Sequence, residues 1–204
     1  MNNTLTQALA AVAWACAGLA QATALHNASG LSLPHQTLDF EGLVLAANQP
    51  ITTQFAAAGA TFLNAFANPD LSSYPNISGN RVGDFRAGIG RTGLFTVDFG
   101  TDLTEVAFAV VSAPGTATFQ AFLDGLLQES FTGSTTTTDA NNFYGFQGIV
   151  MDRLTIRVQS SDNVFLLDQL QTIPVPEPQA GLLLAVGLAA LGMLAQRRRP
   201  ARAD

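Results

Sequence analysis

The chain has 204 residues, with 9 Lys plus Arg against 15 Asp plus Glu, a formal charge of −6 at pH 7, and no lysine at any position. A surface of that sign repels phosphate backbones and anionic lipid headgroups, so nucleic acid is excluded as a partner. Its single cysteine, Cys16, leaves no intrachain disulfide to staple a small scaffold.

Residues 8–20 are an uncharged apolar run, too short for a comfortable membrane span. They are followed by Ala22-Thr23-Ala24, a small-x-small pattern of the signal-peptidase kind. The pattern predicts a signal helix within residues 1–24, cut after Ala24 or, as second choice, after Ala22. The four residues at the start carry no Lys or Arg, so the leader is positive there only through its α-amino group. Cys16 falls inside the leader, and Trp14 and Ala15 before it do not fit a lipoprotein acylation pattern. The mature chain is therefore expected to hold no cysteine.

Residues 25–173 have the size of one domain. Their apolar residues come in short runs at period two, broken by Gly, Pro, Asn and Asp, which is a strand signal. Residues 37–43 place Leu38 and Phe40 on one face and Asp39 and Glu41 on the other. Residues 59–63 read as a second strand, inside a 54–67 stretch rich in Ala and Phe whose type is ambiguous. Residues 94–100 put Phe95, Val97 and Phe99 on one face. A Gly100-Thr101-Asp102 turn then leads to a strand over 103–111. Residues 116–123 and 126–131 are joined by Asp124-Gly125, whose tolerance of positive φ suits a hairpin turn. Residues 148–158 alternate Leu154, Ile156 and Val158 with Arg153, Thr155 and Arg157, and residues 163–170 close the set. Eight to ten short strands with such turns predict an all-β fold, an antiparallel β-sandwich.

Gly88-Ile89-Gly90-Arg91-Thr92-Gly93 spells a dinucleotide fingerprint, but a period-two strand follows where a helix N-terminus is required, so it reads as a turn. Catalysis lacks an obvious base, because His35 alone survives well inside the mature chain, beside Pro34, and no nucleophile-elbow motif occurs. The only tryptophan is in the leader, whereas sugar-cleaving sites favour aromatic platforms. The stretch 64–91, with Tyr74, and the Thr-rich loop 133–142 are the best candidates for ligand contact, since loops carry function on rigid sandwiches.

The C-terminus reads in three parts. Val175-Pro176-Glu177-Pro178 is a rigid acidic motif, with prolines at 174, 176 and 178 holding the chain extended. Residues 180–195 are Gly/Leu/Ala-rich and uncharged, and about 16 residues at 1.5 Å each cover roughly 24 Å as a helix. Arg197, Arg198 and Arg199 follow as a stop that stays on the cytoplasmic side. The order of motif, span and Arg cluster resembles the sorting signal of PEP-CTERM proteins, which Gram-negative bacteria export and a membrane protease, exosortase, processes. That resemblance implies three segments: a signal peptide over 1–24, an ectodomain over 25–173, and a sorting segment with a transmembrane helix over 174–204. Its partners would be an exosortase-type protease and, transiently, the inner membrane, with a final location at the cell surface or in the extracellular matrix.

The order of segments in the body resembles the jelly-roll ectodomains of such proteins. The parts that carry the likeness are Phe40-Glu41-Gly42, the hairpin strand 95–99, a Tyr144-Gly145-Phe146 turn and Leu167-Asp168-Gln169-Leu170. In carbohydrate-binding jelly rolls an acid of the first strand and an aspartate of the last meet at one structural Ca²⁺. The resemblance implies Glu41 and Asp168 as its ligands here, with Asp39 a weaker candidate, and no other cofactor. It implies a non-enzymatic surface or matrix protein of an exopolysaccharide-producing bacterium. The alternatives are a carbohydrate-binding module for the cell's own polysaccharide and, behind that, a secreted glycan hydrolase.

Overall fold

The computed structural model describes residues 23–69, 73–86, 90–91, 93–160 and 165–176. The chain divides after Pro174 into two units. The described part of the first unit is all-β and antiparallel, with one 3-10 turn, Ala56–Ala58, and no α-helix. Its strands are β1 (Thr23–Asn27), β2 (Gln36–Leu38), β3 (Pro50–Ile51), β4 (Ala60–Leu63), β5 (Ala65–Ala67), β6 (Val82–Gly83), β7 (Phe85–Arg86), β8 (Gly90–Arg91), β9 (Phe95–Ser112), β10 (Gly115–Leu123), β11 (Leu126–Thr135), β12 (Phe143–Ser160) and β13 (Phe165–Pro174). In the second unit only Val175 and Pro176 are described, in irregular conformation. The expected signal helix and C-terminal transmembrane helix both lie outside the described residues. Among the described residues no helix is long and apolar enough to cross a membrane.

Two 18-residue strands organise the fold. β9 runs beside β12 from Phe95 opposite Ile156 to Ala109 opposite Phe143. On its other edge β9 takes β4 along residues 96–99 and β13 along 103–112. β12 likewise takes β10 along 153–160 and β1 along 143–147. The β9–β12 register slips between Gln147 and Arg153, and Gly148 stands there at φ 73°. Bulges of this kind bend a strand and raise its twist. Each long strand therefore serves two facing layers, giving a sandwich-like body.

Phenylalanine fills the space between the layers. Phe108 of β9 lies 5.6 Å from Phe119 of β10, Phe119 stacks at 4.7 Å on Tyr144 of β12, and Phe131 of β11 meets Phe146 edge-on at 5.2 Å. Phe40, Phe62, Phe95 and Phe165 continue the chain of edge-to-face contacts at 5.5–5.9 Å. Offset and edge-on pairs add roughly 0.5–1.5 kcal/mol each beyond the area they bury. A second, smaller apolar cluster sits on the other face of β9, where Ala107, Ala109 and Val111 meet Leu25, Leu31, Ile77, Phe143 and Leu166. β9 is thus buried on both faces over this half, and the segments carrying Leu25, Leu31 and Ile77 act as its outer cover.

Three expectations need correction. The strand expected over 37–43 stops at Leu38: Phe40 turns to φ 60° and drives its ring into the core, although Asp39 and Glu41 do stay exposed as alternation demands. No turn occurs at Gly100–Asp102: β9 runs on as one strand, paired with β12 and β4 up to Asp98 and Phe99 and with β12 and β13 again from Leu103, and the Gly100 N–H donates to the Gly59 carbonyl between them. Tyr144-Gly145-Phe146 is a strand interior and not a turn; its glycine is needed because a Cβ there would strike the Val106 carbonyl oxygen and lie 2.8 Å from the Ala107 Cα. The Asp124-Gly125 hairpin is found as expected, with both residues at positive φ, 51° and 78°.

Candidate functional site

The ladder between β13 and β9 slips between Asp168 and Gln171. At that bulge Gln169 adopts φ 51°, a left-handed conformation uncommon for a residue with a long side chain. Asp168 beside it is fully buried. Its Oδ2 accepts the Ser78 N–H at 3.1 Å and its Oδ1 accepts the Gln169 N–H at 2.7 Å. Burial pushes the Asp168 carboxyl up to about 7. The two N–H donors oppose that rise, and the negative charges of Glu41 and Asp39 add to it.

Glu41 reaches the same loop from the other side. Its Oε1 accepts the Asn80 N–H at 2.7 Å, and Asn80 Nδ2 donates to the Leu43 carbonyl at 3.1 Å. Asp39 Oδ1 in turn accepts the Glu41 N–H at 3.1 Å. Asp168 and Glu41 are therefore brought to one short loop, residues 78–80, although they do not lie on paired strands: Asp168 faces Ala109 of β9, and β2 ends before Glu41. The donor set is all hard oxygen with excess negative charge, the chemistry that suits Ca²⁺. It supplies two or three carboxylate groups, so carbonyls would have to provide the rest of six to eight oxygens. Among the described residues no group of three or more His, Cys, Asp or Glu stands close enough to hold a metal by itself.

Beside this loop lies an open cleft of about 470 Å³, lined in part by Ser29, Tyr74, Asn76, Ser78, Gln169 and Gln171. Its walls are tied down by side chains distant in sequence. Gln171 Oε1 accepts the Leu31 N–H at 2.7 Å, and Asn76 Nδ2 donates to Asn142 Oδ1 at 2.7 Å and to the Ala28 and Ala140 carbonyls at 3.2 Å. Asn142 Nδ2 donates back to the Pro75 carbonyl at 2.6 Å. Tyr74, half-buried, has the Arg81 guanidinium 5.6 Å from its ring centre.

The sequence points to Tyr74 and its loop and, through the 133–142 loop, to Asn142, but not to the cleft-lining roles of Gln169 and Gln171, which depend on partners far away in the chain. His35 is not in the site; its N–H donates to the Thr172 carbonyl beside β2. The Thr-rich loop is a local turn, in which Thr136 Oγ1 accepts the Thr138 and Asp139 N–H groups. Gly90 and Arg91 of the fingerprint-like run form β8, paired with β7, and β9 follows. Ala24 lies in β1 opposite Phe146. Val175 and Pro176 come directly after β13, whereas Ala22, Glu177, Pro178, Arg197, Arg198 and Arg199 lie outside the described residues.

No family model and no curated protein matches the chain. Among solved structures, two substituted forms of the catalytic domain of a GH87 alpha-1,3-glucanase, each in complex with tetrasaccharides, are similar to it at a TM-score of 0.33 and 16% identity. The similarity covers 74% of this chain and 30% of theirs. The chain thus spans under a third of those proteins, and likeness at this level carries no argument about chemistry.

Proposed function

We propose that the chain is an exported, non-enzymatic cell-surface or matrix protein, led out by a signal helix and held by a C-terminal transmembrane helix until an exosortase-type protease releases it. One observation supports the reading best. The last strand among the described residues, β13, ends at Pro174, and Val175-Pro176-Glu177-Pro178 begins at the next residue, so in sequence the motif follows the strand without a spacer. A protease working at the membrane surface meets the motif between a compact domain it cannot enter and an apolar span. Intact-mass measurement of surface material tests this. A mature form ending near Glu177 is expected; full-length chain ending at Asp204, in cells with active exosortase, would make the segment an ordinary anchor.

The body is read as jelly-roll-like, with Glu41 and Asp168 as ligands of one structural Ca²⁺ beside the 78–80 loop. When bound, the ion would offset the charge gathered there. The chain's own groups would hold Glu41, Asp168 and the loop in place through the Ser78 and Asn80 N–H donors. The second reading, a carbohydrate-binding module for the cell's polysaccharide, is favoured by the polar cleft next to this loop. Pull-down with that polysaccharide separates it from a purely structural role. Secreted glycan hydrolysis is the last alternative, and loss of activity in an Asp/Glu→Asn/Gln scan would support it.

A further inference from the structure

We propose that the cleft between the 28–31 segment, the 73–78 turn and the β13 bulge binds a neutral glycan unit; this rests on the carbohydrate-binding reading and names its site and ligand class. The lining is the first ground. Among the described residues it carries no charged side chain, and instead offers hydroxyls from Ser29, Ser73 and Ser78, amides from Asn76 and Gln169, and the ring of Tyr74, while the Gln171 amide is committed to the Leu31 N–H and the Ser29 carbonyl. Sugar hydroxyls both donate and accept, which matches amides and hydroxyls, while the C–H face of a sugar ring suits an aromatic edge or face. An anionic ligand would find no cation in the described lining, and it would approach the Asp168–Glu41 loop. The polar lining gives a lipid tail little to bury against. The volume, about 470 Å³, is in the range of small-ligand clefts.

The second ground is backbone conformation. Of the six non-glycine residues at positive φ among the described residues, two line this one cleft: Asn76 at 56° and Gln169 at 51°. Asn tolerates that region, but for Gln it stores strain of order 1 kcal/mol, which persists only where the surroundings impose it. The surroundings here are the β13 bulge and the buried Asp168, whose two oxygens hold the N–H groups of Ser78 and Gln169, one from each wall. The Gln169 side chain, half-buried, is held by no hydrogen bond among the described residues, and Asn76 has its Nδ2 committed while its Oδ1 is left to accept. A fixed cradle with unspent amide groups is what a polyhydroxylated ligand requires.

The full chain, purified in detergent, is tested on an array of neutral oligosaccharides (cello-, malto-, manno- and chito-series) and acidic ones (alginate and polygalacturonate fragments). Binding to at least one neutral series is expected. Tyr74→Ala should weaken it at least tenfold. Gln169→Asn, which keeps a residue tolerant of positive φ and withdraws the amide by one methylene, should weaken it at least fivefold with an unchanged melting temperature. Leu126→Ser, on the exposed hairpin of β11, should bind as wild type. Binding of acidic series alone, or neutral binding that survives both cleft substitutions, would overturn the cleft assignment while leaving carbohydrate binding standing. No binding to either class would overturn both.

Discussion

Asp168→Asn separates charge from shape at the most deeply placed carboxylate. In protein freed of divalent ions, the Asp168 carboxyl titrates at about 7 in the folded state against an ordinary 3.8. The folded chain therefore keeps the proton where the unfolded chain has lost it. The stability this group contributes is fully present below pH 3.8 and is lost as the pH rises to about 7. At 1.36 kcal/mol per pH unit the loss is about 4 kcal/mol as a ceiling, or roughly 10 °C in Tm for a domain of this size. Asn cannot ionise, and it resembles the protonated acid in offering one acceptor to the Ser78 and Gln169 N–H groups. In chelator, the variant should melt several degrees above wild type at pH 8 and within a few degrees of it at pH 4.5. With Ca²⁺ at a hundred times Kd the wild type should gain about 2.7 kcal/mol and the variant little. A variant that melts lower by the same margin at both pH values would show that the charge is already compensated in the fold. Identical wild-type melts in Ca²⁺ and chelator would remove the ion.

Glu177→Ala should leave the full-length chain in the membrane fraction, and normal maturation of that variant would mean the motif has been misread. Gly145→Ala drives a Cβ into the backbone of β9 at Val106 and Ala107, which no side-chain rotation can relieve; overpacking of this kind costs about 1–3 kcal/mol, read as a lower urea midpoint at unchanged slope. A chain beginning at Thr23 keeps all of β1, and one beginning at Leu25 loses only two exposed paired residues. One beginning at Ser32 loses β1 together with Leu25 and Leu31 and so uncovers the outer cluster. Denaturant titration of these three chains should give a small first step in stability and a second of about 2–5 kcal/mol; equal midpoints would show that the outer cover adds nothing.

How much of this is legible in the sequence follows from where each residue's partner lies. The Asp124-Gly125 hairpin is decided by two adjacent residues, and the alternation of Leu154, Ile156 and Val158 with Arg153 and Arg157 by one strand's two faces; both are readable locally. Thr155 breaks that alternation, being buried, and nothing in its neighbours announces it. Gly100 and Gly145 both resemble turn residues because glycine often marks a turn. One lies in a continuous strand with its N–H donating to the Gly59 carbonyl, and the other admits the close approach of β9. Those partners are set by topology. The site divides in the same way. Glu41 and Asp168 are reachable by resemblance, but the 78–80 loop that joins them, and the Gln171–Leu31 and Asn76–Asn142 bonds spanning 140 and 66 residues, have no local signature.

The bulge in β13 ties the two features of the site together, and that connection can be tested apart from any ion. Asp168 does not line the cleft, yet its oxygens fix Ser78 on one wall and Gln169 on the other. Asn at this position keeps the volume but withdraws one acceptor, so one wall loses its tether and gains freedom that a ligand must then remove. Asp168→Asn should therefore weaken glycan binding in chelator, where the same substitution raises the melting temperature at pH 8. Affinity and stability moving in opposite directions is the mark of a positioning residue, because a substitution that merely damaged the fold would lower both. Unchanged affinity in a variant of raised stability would show that the cleft walls hold their places without the carboxylate.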